Sequence, residues 1–557
     1  MPSESTHTEP HEILPSTSGK ATLRIGDDYL EGRTDPDQAA RDFVESSDVE
    51  AEVVVLFGTG LGYRPKALLA AGVERLTIFE PRLELVDAFQ REAPEVFAQV
   101  TVISERAPMI EHLIRASFAG DRTVLLVPPA YRRAFPKAHA ELMATLNEAE
   151  GLKQLRKNTF MERYNLILEA ALRNLPNVAD VPFYHTLGKP LEGLPAFIVS
   201  AGPSLDKNGE LLVEASKRGA IFTVNTAAPA VTTYGAPIDV LTCVEAMDVT
   251  PSLGPAASNS KILALDLSAN PKNHAVDVAQ KVAFMPGSDP FHTLSAMLDT
   301  PILAYGASVA TAAFALARAW GADPIVLVGQ DLAYTGGQVY AKHTGRGGMT
   351  AHDRGRFLEL EYSDEMLATF RSHGVKTPPR VKPAVRVPAW GGGEIATAHD
   401  MVLFLRWFET VAYDLRGKLR LINATEGGVR IEGFEERRLE EVIAEFEPRS
   451  HRLHEAAREA RGAGTAKVER VRQDLVKTAR AIAKAARRCN TVHTARQQRK
   501  ADLALRKLSS KSKFVDVHCA PILLKVREDK ELAFDVRRRR TFEAIEASAK
   551  RIAKLAS

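Results

Sequence analysis

The chain has 557 residues, of which 45% are apolar and 26% are charged, and its formal net charge is +3. These values predict a soluble globular protein of about two to four domains. Its three cysteines, Cys243, Cys489 and Cys519, show neither metal-ligand spacing nor a disulfide framework, which argues against a zinc site and favours a reducing compartment.

The N-terminal residues are rich in Ser, Thr, Pro and His, which predicts a mobile tail over residues 1–20. No basic flank precedes an apolar stretch there, and the chain contains no run of about 18 apolar residues. The sequence therefore predicts a cytoplasmic protein that makes no use of a membrane.

A first α/β module is predicted over residues 21–180. Its opening reads as strand, glycine turn, helix and strand, with GTGLG at residues 58–62 and Glu80 at the end of the second strand. This is the layout of a Rossmann-type site for a nucleotide or S-adenosylmethionine, in which glycines permit close backbone approach and an acidic residue holds ribose hydroxyls. The alternative is that the fold is present without a ligand.

A second α/β module is predicted over residues 181–430, because short strands rich in Val and Ile alternate with helical segments. Its first strand, PAFIVS, opens into AGPSLDKN at residues 201–208. At the carboxyl end of a parallel strand, Gly202 leaves room for a phosphate, and the backbone N–H groups that follow attract it. An ordinary strand-to-helix turn is the alternative, with Ser204 as a helix cap.

Polar residues also follow later strands of this module. TVNTAAP places Asn225 at a strand end, where a carboxamide can read a base or a ribose. A turn of small residues at 306–308 precedes an alanine-rich helix, and the next strand ends in Gln330 and Asp331. We expect these side chains to gather at one edge of the sheet.

From residue 431 to 557 the sequence is rich in Ala, Arg, Glu and Lys at helical spacing, which predicts a helical bundle or a long hairpin. From Glu436 onward about 31 basic residues accompany about 17 acidic ones. Four arginines at 537–540 can contact an acidic partner or nucleic acid, or form a solvated helix face. Nucleic acid is disfavoured because no aromatic residues alternate with the basic ones.

The central segments together resemble a known family. GPSL after an apolar strand, asparagine at the next strand end, and GASVATAAFALARAWGADPIVLVGQDLAY at 306–334 are similar to the motility accessory factor (Maf) family of flagellin glycosyltransferases. They also resemble bacterial CMP-sialic acid-dependent sialyltransferases. NATEGGVRIEGFEE at 423–436 looks like a family segment that closes the central domain. The resemblance implies an α/β fold class: an N-terminal Rossmann-like domain, a central MptE-like, sialyltransferase-like α/β domain and a helical C-terminal domain.

The resemblance implies transfer of a nonulosonic acid, of the pseudaminic or legionaminic type, from its CMP-activated form to Ser or Thr hydroxyls of flagellin, in support of flagellar assembly and motility. It implies donor binding by Gly202, Pro203, Ser204, Leu205, Asn225, Ser308, Gln330 and Asp331. It also implies a histidine base for the acceptor hydroxyl, for which His343 is the candidate and His352 competes. No metal ion or other cofactor is expected.

Two other functions stay open. The same domain type resembles the archaeal MptE-like 6-hydroxymethylpterin diphosphokinases, which bind ATP with Mg²⁺; Asp206, Asp248 and Asp331 would then be the candidate metal ligands. An additional N-terminal module and a basic helical segment suit a protein acceptor better than a small metabolite. The third hypothesis is a noncatalytic, flagellin-binding assembly factor whose basic helices bind an acidic protein.

Overall fold

The structure is a computed structural model that describes residues 10–51, 53–105, 108–110, 112–113, 123–287, 291–344, 348–364, 366–368, 380–491, 505, 515 and 534–557. The chain divides into two compact units, Met1–Lys157 and Asn158–Ser557. The helices after residue 430, predicted as a module of their own, therefore belong to the same unit as the central sheet.

The first unit contains two sheets, an antiparallel sheet of order β1-β2-β3 and a parallel sheet of order β6-β5-β4-β7. The strands are β1 (His11–Pro15), β2 (Ala21–Ile25), β3 (Asp28–Tyr29), β4 (Val53–Phe57), β5 (Leu76–Phe79), β6 (Thr101–Ile103) and β7 (Thr123–Leu126). The described helices are Pro36–Glu45, Tyr63–Ala70, Leu83–Glu92, Pro94–Phe97, Pro129–Ala134 and Pro136–Asn174, the last of which continues into the second unit.

Strand β1 contradicts the predicted mobile tail, which covered residues 1–20, over residues 11–20. It pairs antiparallel with β2, so that Ile13 lies opposite Leu23. The N–H of Ser16 donates to the carbonyl of Lys20 at 2.7 Å and closes the turn between the two strands. Ser16, Thr17 and Ser18, which contributed to the prediction of a tail, are residues of this turn. Residues 1–9 lie outside the described part of the chain.

The second unit is built on an eight-stranded parallel sheet of order β12-β11-β10-β9-β8-β13-β19-β20. Its strands are β8 (Ala196–Val199), β9 (Ala220–Val224), β10 (Ile238–Cys243), β11 (Ser260–Asp266), β12 (Lys281–Phe284), β13 (Ile325–Val328), β19 (Leu421–Asn423) and β20 (Glu435–Glu436). The chain first builds outward from β8 to β12 and then returns to the other side of β8 with β13. In sheets of this kind ligands bind outside the carboxyl ends of the strands, at this switch point.

Two small antiparallel sheets are inserted between β13 and β19. Their strands are β14 (Thr350–Asp353), β15 (Phe357–Glu361), β16 (Val381–Pro383), β17 (Val385–Pro388) and β18 (Glu394–Thr397). The described helices that follow Asn174 are Leu205–Asn208, Leu212–Ala215, Ala228–Thr233, Thr250–Ser258, Pro271–His274, Phe291–Leu298, Val309–Ala319, His399–Leu415, Leu439–Ala444, Leu453–Glu459, Thr465–Thr491 and Phe534–Ala556. None of the helices in the described residues has both the length and the apolar character to cross a membrane.

The predicted alanine-rich helix is Val309–Ala319, and every residue from Ala310 to Ala317 is buried. Its small side chains let it lie close to the sheet. At its end Trp320 packs 5.7 Å from Phe222 of β9 and donates its indole N–H to the carbonyl of Tyr184 at 2.8 Å. This packing holds the helix, and with it the turn at 306–308, against the central strands.

The predicted C-terminal helices are present. Helices Thr465–Thr491 and Phe534–Ala556 run antiparallel, since Arg472 donates to the carbonyl of Ala556 while Arg487 pairs with Glu546. Their apolar faces join one buried cluster that includes Val468, Leu475, Ile552, Leu168 and Phe291. The predicted α/β fold class with a helical C-terminal region is therefore confirmed.

Candidate functional site

The carboxyl edge of the eight-stranded sheet gathers three of the predicted segments. Ser200 follows β8, Asn225 follows β9 and Gln330 follows β13. Strand β8 pairs in parallel with both β9 and β13, so these three strand ends lie side by side. The polar residues predicted from separate stretches of sequence thus meet at the switch point of the sheet.

The glycine loop after β8 is closed by Asp331. Ser204 donates to the Asp331 carboxylate from its backbone N–H at 3.2 Å and from its hydroxyl at 2.8 Å. Gly202 donates its N–H to the carbonyl of Gly329 at 2.8 Å. A Cβ atom at position 202 would overlap the Asp331 carboxylate. The room that Gly202 leaves is therefore filled by the chain's own carboxyl group.

This arrangement changes the physical reason for the glycine. The sequence predicts a phosphate beside Gly202, whereas the structure places Asp331 there, 2% exposed, and burial raises the pKa of its carboxyl group. Leu205 donates its N–H to the carbonyl of Gly202 at 3.1 Å, and Pro203 has no N–H. Phosphate binding by the amides of this loop stays a prediction, and it requires Asp331 to move.

Two further glycines, in the segment NATEGG that contains the end of β19, also pack against the glycine loop and Asp331. A Cβ atom at Gly427 would overlap the hydroxyl of Ser204, and one at Gly428 would overlap the backbone of Asp331. Gly428 also has a φ of +70°, which favours glycine. The sequence marks this segment only as one that closes the domain. Its contact with the glycine loop comes from the adjacency of β13 and β19 in the sheet.

Asn225 has an unpaired polar atom. The residue is 4% exposed, and its Oδ1 atom has no hydrogen-bond partner in the described part of the chain. An unpaired buried polar group costs about 1–3 kcal/mol, so in a native structure it calls for an explanation. A ligand that donates a hydrogen bond to this oxygen would remove the cost. Asn225 is therefore the predicted donor-binding residue whose environment points to a ligand.

The remaining predicted donor-binding residues have partners inside the chain. The hydroxyl of Ser200 donates to Oε1 of Gln330 at 2.6 Å, and the N–H of Gln330 donates to the hydroxyl of Thr425 at 3.1 Å. Ser308 caps the helix Val309–Ala319, and Leu205 is fully buried. These contacts hold the strand ends and the helix start in place. Ligand contact by Pro203, Leu205, Ser308 and Gln330 stays a prediction.

The two candidate histidines occupy different places. The N–H of Ala341 donates to the carbonyl of Ala201 at 2.9 Å, which holds the segment that contains His343 against the glycine loop. His343 itself is exposed. His352 lies in β14, where its Nε2 atom is 3.5 Å from Oε1 of Glu361. The structure therefore places His343 beside the glycine loop, and its role as a base stays a prediction.

A buried carboxylate at the same edge has no counterpart in the sequence prediction. Asp266 ends β11, is fully buried, and accepts hydrogen bonds from the hydroxyl of Tyr305 and from the N–H of Ser268 at 2.5 Å. Burial raises the pKa of Asp266 to about 6. The acidic residue at the end of the apolar strand KILALD was the available signal, but nothing in the sequence pairs it with Tyr305.

The glycine loop of the first unit is also occupied by the chain itself. The N–H of Gly60 donates to the hydroxyl of Tyr131 at 2.6 Å, and the next N–H donates to Glu31 at 2.6 Å. A Cβ atom at Gly58 would overlap the ring of Tyr131. The predicted order of strand, glycine turn, helix and strand is present, but the position of a nucleotide phosphate is taken by these side chains.

Glu80 is likewise unavailable for the predicted contact with ribose hydroxyls. It is fully buried, and its Oε2 atom accepts from the N–H of Thr59 at 3.1 Å and from the hydroxyl of Tyr131 at 3.3 Å. Burial raises the pKa of Glu80 to about 7. The geometry of this loop supports the alternative that the first unit has the fold without the ligand.

We expect the stability of this loop to fall as the pH rises from about 5 to about 8. The pKa of Glu80 is about 7 in the folded unit against an ordinary value of 4.5, so the folded state keeps a proton that the unfolded state releases. The stabilisation that the Glu80 proton provides is fully present below the unfolded-state pKa of 4.5. About 3 kcal/mol of it is lost as the pH rises past the folded-state pKa of about 7. Hydrogen exchange of peptides that cover β4 and the loop, corrected for intrinsic exchange rates, measures this fall.

The matched variants for this measurement are Glu80→Gln and Asp87→Asn. Asp87 is an exposed acid on the helix that follows, and its variant should keep the wild-type pH dependence. Glu80→Gln should flatten it, with a residual slope from Glu31, whose pKa burial also raises. An unchanged slope in Glu80→Gln would contradict the assignment.

The carboxylates named for a magnesium site have separate partners. Asp206 accepts a backbone N–H at 3.0 Å, Asp248 pairs with Lys272 at 2.7 Å, and Asp331 accepts from Ser204. Across the described ranges, no group of three or more His, Cys, Asp or Glu side chains is arranged to hold a metal ion. These three residues therefore do not form a shared donor set for Mg²⁺.

Comparison with known proteins gives matches of two kinds. The family model described as 6-hydroxymethylpterin diphosphokinase MptE-like matches residues 169–337, which include the glycine loop and strands β8 to β13. The solved structure of the Maf glycosyltransferase from Magnetospirillum magneticum AMB-1 is similar over 99% of this chain and 92% of that chain, with 15% identity and a TM-score of 0.49. No curated protein matches the chain. The predicted resemblance of the central segments to MptE-like domains is confirmed, and their resemblance to sialyltransferases stays a prediction.

Proposed function

We propose that the second unit is a glycosyltransferase that moves a nonulosonic acid, of the pseudaminic or legionaminic type, from a CMP-activated donor to Ser or Thr hydroxyls of flagellin in the cytoplasm. The observation that carries the proposal is the buried, unpaired amide oxygen of Asn225 at the switch point of the sheet. The motifs around it resemble those of Maf proteins and sialyltransferases, and the MptE-like family model covers the same region.

Asn225 suits the base of a cytidine nucleotide. A carboxamide offers an acceptor oxygen and two N–H donors, and the edge of cytosine offers an amino donor beside acceptor atoms. The neighbouring strand ends are tied together by the bond between Ser200 and Gln330, so the amide is presented by a rigid edge. A ligand without a donor at this position leaves the oxygen unpaired, which is a basis for selectivity.

The phosphate of the donor would lie toward the glycine loop. Its approach requires the Asp331 carboxyl group to move away from Ser204, which frees an N–H and a hydroxyl for the phosphate oxygens. Because burial raises the pKa of Asp331, this group is more readily neutral than an exposed aspartate, and that reduces repulsion of an anion.

The transfer forms a bond between the acceptor oxygen and the anomeric carbon of the sugar acid. It breaks the bond from that carbon to the phosphate oxygen, and CMP leaves with the electron pair. The acceptor hydroxyl must lose its proton, for which His343, beside the glycine loop, is the proposed base. The proposal uses no metal ion or other cofactor.

Intact-mass spectrometry of flagellin tests the proposal. In cells that lack the protein we expect flagellin to lose the mass increments of nonulosonic acid. Wild-type protein and His352→Gln should restore them, whereas His343→Gln should not. Flagellin that keeps its increments in the absence of the protein would overturn the assigned acceptor. Equal restoration by both variants would overturn the role of His343.

The description of the family model favours a second function, ATP-dependent pyrophosphoryl transfer to a pterin. The separate partners of Asp206, Asp248 and Asp331 give it no support. Calorimetric titration distinguishes the two: binding of CMP supports sugar transfer, and binding of ATP with Mg²⁺ alone supports the diphosphokinase. A protein that binds flagellin and neither nucleotide would be the noncatalytic assembly factor.

A further inference from the structure

A groove between helices Thr465–Thr491 and Phe534–Ala556 concentrates positive charge. It has a volume of about 520 Å³, and five of its lining side chains are cationic: Arg480, Lys484, Arg487, Lys550 and Lys554. We call these five residues and the space between them the basic groove. None of the described residues that line it has an acidic side chain.

The five cations form two rows, one on each helix, on the two sides of the groove. We call these rows ridges. Residues 480, 484 and 487 follow one another by four and three positions, and 550 and 554 by four, so each set shares one helix face. Ala483 and Ala553 lie buried between the ridges. Their small side chains make a shallow apolar floor. The longer ridge extends about 10 Å along its helix.

Most cations of the basic groove lack an ion-pair partner in the described part of the chain. Glu546 pairs with Arg487 at 2.9 Å and with Lys550 at 2.6 Å. Arg480, Lys484 and Lys554 are exposed and form no ion pair in the described part of the chain. Two of the five cations therefore share one glutamate, and the other three have no ion-pair partner among the described residues.

Basic residues of the same two helices outside the groove follow no single pattern. Arg472, Arg539 and Arg551 each pair with a glutamate, whereas Arg470, Lys477 and Arg540 are exposed and have no ion-pair partner among the described residues. What distinguishes the basic groove is that its cations come from two helices and line one concave surface. Like charges held close together repel one another, so this convergence indicates an anionic partner.

We propose that the basic groove binds an acidic segment of a protein partner, with about three carboxylates in succession. An extended chain advances about 3.3 Å per residue, so about three residues match the length of the ridge, and the alanine floor accommodates the methylene groups of glutamate. None of the described residues that line the groove is aromatic, so they offer no surface for base stacking. The inference concerns a surface away from the transfer site and does not depend on sugar transfer.

The test measures the fluorescence anisotropy of a labelled peptide, Gly-Ser-Glu-Glu-Glu-Gly-Ser, with the full chain at low and high salt. We expect binding that weakens with salt and that is absent for the peptide with Gln in place of Glu. Lys484→Glu with Lys554→Glu should weaken binding by about tenfold or more, because both ridges then repel the peptide. Arg470→Glu with Lys477→Glu, at exposed positions outside the groove, changes the net charge equally and should weaken binding less than threefold.

Three results would overturn the proposal. Equal losses in the two double variants would show that net charge alone attracts the peptide. Preferential binding of single-stranded RNA, or of phosphatidylserine vesicles, that is lost in the groove variant would assign the groove to another class of partner. Unchanged binding in the double variant Lys484→Gln with Lys554→Gln would also reject the groove. This neutral variant adds no negative charge to the helices, so it replaces the glutamate variant if the latter loses helical circular dichroism.

Discussion

Gly202→Ala is expected to destabilise the second unit by about 3 kcal/mol. The added methyl group would overlap the Asp331 carboxylate and lie 2.5 Å from the carbonyl oxygen of Gly329. Neither group can yield easily, since Asp331 is held by Ser204 and Gly329 directly follows β13. The loop must therefore shift as a whole.

Tryptophan fluorescence during denaturant unfolding measures this effect. The three tryptophans of the chain, Trp320, Trp390 and Trp407, all lie in the second unit, so the signal reports on that unit alone. Gly254→Ala is the matched control, because a Cβ atom there meets nothing within 4 Å and the residue lies in the helix Thr250–Ser258. It should stabilise the unit by up to about 1 kcal/mol.

A double variant separates steric overlap from other causes. If Asp331 is the obstacle, Gly202→Ala should cost less in the background of Asp331→Ala than in the wild type. Additive costs would show that the overlap with Asp331 is not responsible. A loss in Gly254→Ala as large as that in Gly202→Ala would show that any added methyl group destabilises this unit.

Asn225→Ala is expected to weaken CMP binding by about 100-fold while the free energy of unfolding changes by less than about 1 kcal/mol. The two effects separate because the amide oxygen has no hydrogen-bond partner among the residues that the structure describes. Removing it therefore breaks no hydrogen bond within that part of the fold, although it removes the contact that the proposed base would make. A buried polar residue with structural partners would instead lose stability as well.

Calorimetric titration with CMP and tryptophan-monitored unfolding measure the two quantities on the same preparation. Thr242→Val is the matched control: Thr242 is fully buried in β10, and its hydroxyl also has no hydrogen-bond partner in the described residues. It should bind CMP as the wild type does. If Asn225→Ala binds CMP with wild-type affinity, the unpaired oxygen of Asn225 does not contact the nucleotide, and the sugar-transfer proposal loses its main support.

The arrangement of strands and helices follows from local sequence patterns. Runs of Val, Ile and Phe predict the buried strands β8, β9 and β13, and the alternation with helical segments predicts that they are parallel. The alanine-rich segment predicts a buried helix, and Val309–Ala319 is one. These features depend on side-chain periodicity within a few residues, which is visible in the sequence.

The strand β1 and the pair of Asp266 with Tyr305 were not predictable in the same way. The first depends on a turn whose Ser and Thr residues also suit a mobile tail. The second joins the end of β11 to a residue 39 positions later, through the packing of the sheet edge. No local pattern distinguishes such a pair from two unrelated polar residues.

The positions of the glycine loops were predictable from local sequence, since strand ends followed by glycine at 58–62 and 201–202 lie where they were predicted. What occupies each loop was decided by tertiary structure alone. A glycine shows that some group approaches the backbone closely, but a phosphate and a carboxylate make the same demand. The groups that arrive, Tyr131 at 71 residues from Gly60 and Asp331 at 127 residues from Ser204, are brought there by the order of the strands. The same order leaves the amide oxygen of Asn225 without a hydrogen-bond partner in the described part of the chain.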